Sequence, residues 1–146
     1  MAEGPTDIDL TRWSEAIDNS LADGTPCLVI SADPGGYPDV AFKGSTMVYD
    51  KDNLAYWERS LNEQIPQVEA NPHVVVLYRN PAKHKIAHMR LYGDATVYKT
   101  GEMRDKVMSR VVEQELNQDP ERKGYAVVVK VNRVRLGRNL VQERKG

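Results

Sequence analysis

Residues 26–58 read PCLVISADPGGYPDVAFKGSTMVYDKDNLAYWE, and this stretch decides the fold. Pro26 to Ala32 carries the apolar run Cys27-Leu28-Val29-Ile30, too short for a helix and rich in branched side chains, so it reads as a buried strand. Asp33-Pro34-Gly35-Gly36-Tyr37-Pro38 is dense in turn formers and returns the chain into a second strand, Asp39 to Tyr49. Gly44 interrupts that strand, and a glycine inside a strand pattern marks a bulge or a close approach to the backbone. Asp50-Lys51-Asp52-Asn53 then turns into a third strand, Leu54 to Glu58, which predicts a hairpin between strands two and three.

Upstream, Leu10, Trp13, Ile17 and Leu21 recur at spacings of three and four, which places them on one helix face, with Asp9 as its cap and Asp23-Gly24 as its end. Downstream, Leu61 to Asn71 reads as a short helix weakened at its front by Pro66 and stopped by Asn71-Pro72. Val74 to Arg79 is a fourth strand, and Asn80-Pro81 leads to a fifth, His84 to Tyr98, with a bulge at Gly93-Asp94. A second amphipathic helix carries Met103, Val107, Met108, Val111, Val112 and Leu116 inward and ends before Asp119-Pro120. Tyr125 to Val131 is the last strongly apolar strand, and Val134 to Leu140 a weaker one. Consecutive hairpins with few helices predict a mainly β (α+β) chain, an antiparallel barrel with flanking helices, as one domain over residues 1–146.

Composition narrows the function. With 146 residues, 40% hydrophobic, the chain can bury a core without disulfides or metal. Cys27 is the only cysteine, which excludes an internal disulfide and Cys-rich zinc modules and favours a cytoplasmic location. The apolar runs are too short to span a bilayer, so no membrane partner is expected. Twenty Lys and Arg against 21 Asp and Glu leave a net charge of −1, which argues against nucleic acid as a partner.

The ordered set of motifs carries a resemblance. Cys27 to Ala32, the Gly-Gly-Tyr-Pro turn, Val40-Ala41-Phe42-Lys43-Gly44-Ser45, an acidic hairpin, Leu54-Ala55-Tyr56-Trp57, a short helix ending in Asn71-Pro72, Val74 to Tyr78 and Arg90-Leu91-Tyr92-Gly93-Asp94-Ala95 follow in that order. This succession, over roughly residues 10 to 131, resembles the pyridoxamine 5′-phosphate oxidase-like family of flavin-binding split barrels. The resemblance implies a six-stranded split barrel that works as a homodimer, with FMN at the dimer interface and a small-molecule substrate. By position it implies that Phe42, Lys43, Gly44, Ser45 and Thr46 contact the flavin ring, and that Trp57, Arg59, Ser60 and Gln64 complete the cofactor site. Asn62, Glu63 and Gln64 fall where the family carries a basic phosphate clamp, so Glu63 puts an acid where a base is expected. The arginine and histidine set that holds pyridoxamine phosphate in the vitamin-forming oxidase has no match. An FMN-dependent oxidoreductase is the leading expectation; a flavin- or haem-binding protein without turnover and a deazaflavin-dependent reductase are the alternatives.

Each residue also has a plainer reading. Lys43 is either a donor to the flavin or a solvated lysine on a strand, and Arg59 either a phosphate fork or half of a surface ion pair. Tyr56 and Trp57 alternate, so one faces the barrel and the other faces out. His84 and His88 share a strand face near Asp94, too few ligands for a metal centre. His73 reads as a surface residue. Lys130, Arg133, Arg135 and Arg138 form the one basic cluster, which reads as a guarded edge strand or, in the sharper reading, as an anion site that reaches across the dimer to the partner's flavin phosphate. No triad or paired-carboxylate arrangement supports hydrolysis.

Overall fold

The computed structural model describes residues 4–83 and 88–146. Eight strands form one antiparallel sheet in the order β2-β1-β5-β6-β7-β4-β3, with β8 paired to β7. The strands are β1 (Cys27–Ala32), β2 (Pro38–Lys43), β3 (Met47–Val48), β4 (Asn53–Glu58), β5 (His73–Tyr78), β6 (Met89–Tyr98), β7 (Tyr125–Leu136) and β8 (Asn139–Glu143). The helices are α1 (Ser14–Asp18), α2 (Gln64–Ala70), α3 (Glu102–Met108) and α4 (Glu113–Leu116). This is the expected antiparallel split barrel with flanking helices, built from eight strands rather than six.

Two differences separate this sheet from the sequence reading. The stretch expected as one strand, Asp39 to Tyr49, breaks after Lys43: β2 pairs with β1, whereas β3 pairs with β4. The break joins the two ends of the sheet order through residues 44–46, and it makes a seam in the barrel wall. The second difference lies at the C-terminal end. Tyr125 to Leu136 is a single strand whose one edge serves two partners, β4 along Tyr125–Lys130 and β8 along Arg133–Leu136. Arg133 and Arg135 therefore stand on a doubly paired strand, not on the guarded edge expected for them. Arg133 stacks over Tyr92 at 4.4 Å instead.

The helices are shorter than their periodicity predicts. Leu10–Trp13 forms a 3-10 turn capped by Asp9, whose carboxylate accepts from Thr11 N, and only then does α1 begin. Leu10, Trp13 and Ile17 are buried as expected, and Gly24 takes the left-handed conformation at φ 78°. In α2 the proline is harmless, because Pro66 sits in the first turn where backbone N–H groups have no intrahelical partner. The stretch from Met103 to Leu116 breaks into α3 and α4, with Val107 and Val111 still inward. The bulge falls between Tyr92 and Gly93, where a Cβ would collide with the Lys130 carbonyl.

The sheet is covered on both sides where β4 runs. Tyr56 enters the main core with Leu54, Val76, Leu91 and Val129. Trp57 faces the other way into a second cluster with Met47, Val107, Val111 and Val128, where α3 packs. The alternation of Tyr56 and Trp57 is as expected, and both end up buried.

Candidate functional site

The seam between β2 and β4 carries the candidate site. Where the ladder breaks after Lys43, two hydroxyls take over backbone duties: Thr46 Oγ1 donates to the Lys43 carbonyl at 2.7 Å, and Ser45 Oγ accepts from Trp57 N at 2.8 Å while donating to the Trp57 carbonyl at 3.2 Å. Both side chains are buried. Ser45 thus replaces a missing ladder partner and holds the turn against the end of β4. A cleft of about 450 Å³ opens above this turn, lined by Ala41 through Ser45, Trp57 through Ser60, Glu63 and Glu115.

Of the residues expected to bind cofactor, Phe42, Lys43, Gly44, Ser45, Trp57, Arg59 and Ser60 line this cleft; Thr46 and Gln64 do not. Gln64 is 1% exposed and points into the barrel, where Nε2 donates to the Val29 carbonyl and to Ser31 Oγ. Its Oε1 is buried without a partner.

Both cations in the cleft are already paired. The Lys43 ammonium lies 2.8 Å and 2.9 Å from the two Glu58 carboxylate oxygens, and both side chains are buried. Arg59 Nη2 lies 3.2 Å from Glu115 Oε2. Glu63 is exposed and has no polar partner among the described residues. On the far wall, Trp57 Nε1 donates to Asp119 at 2.9 Å while Arg104 covers the indole ring at 4.8 Å. Burial favours a protonated Asp119, but backbone N–H groups of Lys123 and Gly124 and the Trp57 indole outweigh it and hold the carboxyl below its ordinary range.

Glu58 and Glu115 are the functional candidates that sequence reading did not select. Glu58 is legible as the last residue of a strand that ends at the expected site. Glu115 is not: a continuous helix reading from Met103 to Leu116 conceals the break that turns α4 back toward Gly44. A Cβ at Gly44 would collide with the Glu115 carboxylate and meet Leu21 at 3.0 Å. The close approach that Gly44 permits is therefore made by a residue of the chain itself.

These residues do not fit the phosphate of FMN. A dianion needs uncommitted cations or converging N–H donors, and the two cations lining the cleft are each engaged by a carboxylate, with a third carboxylate unopposed.

A larger cleft of about 670 Å³ lies on the outer face of the sheet, lined in part by Ile30, Val75, Tyr92 and the pair His73–Asp94, whose Nδ1 and Oδ1 are 2.6 Å apart. None of the expected site residues lines it. His84, expected to share a strand face with His88, lies outside the described residues. No helix among the described residues is long and apolar enough to cross a membrane.

Comparison with known proteins follows the same architecture. The chain is similar to an FMN-binding protein from Syntrophomonas wolfei subsp. wolfei at 15% identity, 86% coverage of both chains and a TM-score of 0.65. It is also similar to a pyridoxamine 5′-phosphate oxidase-related, FMN-binding protein from Nostoc punctiforme at 12% identity and a TM-score of 0.65, covering 85% of this chain and 79% of that one. An F420 reductase matches at 15% identity and a TM-score of 0.59, covering 92% of this chain and 98% of that one. At these identities the likeness establishes the fold. No curated protein is similar enough in sequence to match. Residues 14–136 match the model of the pyridoxamine 5′-phosphate oxidase family, and with most of its length matched the chain belongs to that family.

Proposed function

We propose that the seam cleft binds a flavin-class redox cofactor and that the chain is a small oxidoreductase acting on a small molecule. The observation that carries this reading is the convergence of Phe42, Lys43, Gly44, Ser45, Trp57, Arg59 and Ser60, assigned from sequence alone, on one cleft of about 450 Å³. That volume lies within the range of small-molecule sites. The FMN-binding proteins and the F420 reductase that share the fold support the class of cofactor.

The protein acts as a homodimer in this reading. Val40 and Phe42 are 56% and 68% exposed on β2, which ends the sheet order. Register places them beside Ile30 and Leu28, which continue to Val75 and Leu77 on the same outer face. A contiguous apolar face on an unpaired edge is a surface that soluble proteins cover. Phe42 belongs both to this face and to the cleft, so a second copy packed there would wall the cofactor site.

The test is the absorbance of the purified protein, followed by mass spectrometry of the ligand released on denaturation. Flavin absorbance at near-stoichiometric occupancy, or after addition of flavin, is the expected result. A deazaflavin mass redirects the reading to a deazaflavin-dependent reductase. A Soret band replaces it with a haem-binding function, and failure to bind any of the three removes it.

A further inference from the structure

The charge inventory of the seam cleft goes beyond the choice of cofactor class. We infer that the cleft selects the uncharged, dephosphorylated flavin, riboflavin rather than FMN, and that Glu115 and Glu63 impose this choice. The inference rests on the reading of the cleft as a flavin site and adds to it the chemical form of the ligand.

The lining holds Lys43 and Arg59 against Glu58, Glu63 and Glu115. Lys43 is locked by both oxygens of Glu58 in a buried pair, and drawing the ammonium away to a phosphate would leave Glu58 buried and unpaired, which is strongly unfavourable. Arg59 is half-exposed and could swing, but its partner Glu115 would then stay in the cleft as a free carboxylate. Glu63 precedes the first turn of α2, where the N–H groups would otherwise favour an anion. Whichever way a terminal phosphate enters, it meets at least one unopposed carboxylate. A ribityl chain ending in a hydroxyl meets hydrogen-bond acceptors instead, and carboxylates are good partners for it.

Glu115 has a second effect. Its carboxylate rests against Gly44, in the space where the turn leaves the backbone bare. Any ligand stacked on that turn has to displace the Glu115 carboxylate, and parting it from Arg59 adds an unpaired negative charge to the cleft. Specificity here arises from repulsion of the wrong ligand as well as attraction of the right one.

The test is a pair of fluorescence-quenching titrations, with riboflavin and with FMN, on wild type, Glu63→Gln, Glu115→Gln and the double variant. Wild type is expected to bind riboflavin about 3-fold or more tighter than FMN, and equal affinities overturn the inference. Each single variant should tighten FMN about 3-fold to 10-fold and leave riboflavin within about 2-fold, and the gain should shrink as salt screens the charges. FMN binding tighter than riboflavin in wild type overturns the inference while leaving the flavin reading intact. Equal tightening of both ligands also overturns it, because it makes Glu115 a steric cover without charge selectivity. If wild type binds neither flavin, the flavin reading itself falls and the inference with it. Circular dichroism of each variant establishes that it is folded, and Glu63→Gln, on an exposed side chain, keeps the test decisive should Glu115→Gln perturb α4.

Discussion

Lys43 and Glu58 meet across the seam of the barrel as a buried bidentate pair, 2.8 Å and 2.9 Å from ammonium to carboxylate oxygens. Such a pair is costly to break and cheap to replace, because removing one partner strands a charge while removing both strands none. Lys43→Met should therefore destabilise by about 3–5 kcal/mol, and Lys43→Met with Glu58→Leu should recover most of that loss. Urea denaturation of the single and double variants measures both. A double variant as unstable as the single one would show that the pair is not what fixes the ends of β2 and β4.

The seam also shows what the sequence could and could not disclose. The strands over Cys27–Ala32 and Asn53–Glu58 were legible because each is a short apolar run bounded by turn chemistry. The break after Lys43 was visible as Gly44 but not as a change of partner, since register is decided by strands far away in sequence. The residues that the resemblance places at the cofactor site share one cleft because they lie within two sequence segments that the seam brings together. Gln64 enters the expected site only through its position in the resemblance, whereas α2 turns it under the sheet to bond Val29 and Ser31. Glu115 was missed because its role depends on a helix break that hydrophobic periodicity passes over.

The proposed dimer predicts that Val40→Lys yields a monomer. Val40 points outward from β2 and makes little use of the core, so the change should cost the single chain no more than about 0.5 kcal/mol. Light scattering at micromolar concentration should read a dimer for wild type and a mass near 16.5 kDa for the variant. A wild-type protein that is already monomeric would remove the second copy from the cleft wall.

Gly93→Ala should be among the most damaging single-methyl changes in the chain. Its Cβ would collide with the backbone carbonyl of Lys130 and meet Val129 Cγ1 at 2.8 Å, and neither neighbour is a flexible side-chain end. Relieving the overlap requires the bulge between β6 and β7 to open, so a loss of about 1–3 kcal/mol or more is expected. A melting temperature within two degrees of wild type, roughly the shift of a fraction of 1 kcal/mol, would show that the bulge yields without cost.

Cys27 makes the fold sensitive to alkali. The thiol is fully buried beside Ser20, and burial pushes it from an ordinary 9.0 up to about 12. Because the folded pKa is the higher one, the stabilisation is complete below pH 9 and is lost as pH rises from 9 toward 12, at about 1.4 kcal/mol per pH unit. Cys27→Ala should remove the part of this loss that begins at pH 9, leaving the part above pH 10 that buried Tyr56 adds, while lowering stability at neutral pH through a small cavity. Identical alkaline slopes in the two proteins would place the sensitivity elsewhere. The same burial predicts that a thiol reagent reacts with the native protein only as fast as it opens.

Asp119 should give the opposite pH response and report on the far wall of the cleft. Its carboxylate gathers three donors, the Trp57 indole at 2.9 Å, Gly124 N at 2.7 Å and Lys123 N at 3.0 Å, and so ties the segment after α4 to the end of β4. These donors bring its pKa below the ordinary carboxylate value despite burial, so its contribution is present above that range and is lost as pH falls through the folded value. Asp119→Asn keeps the shape but offers one acceptor oxygen and an amide that faces donors, and should cost about 1–2 kcal/mol at neutral pH. The difference from wild type should close on acidification, when Asp119 itself becomes neutral. In a Trp13→Phe background the remaining tryptophan is Trp57, and its emission should shift to the red in Asp119→Asn as the indole loses its partner and gains water. A stability gap that stays constant from neutral pH into the acid range would mean that Asp119 acts through shape rather than charge.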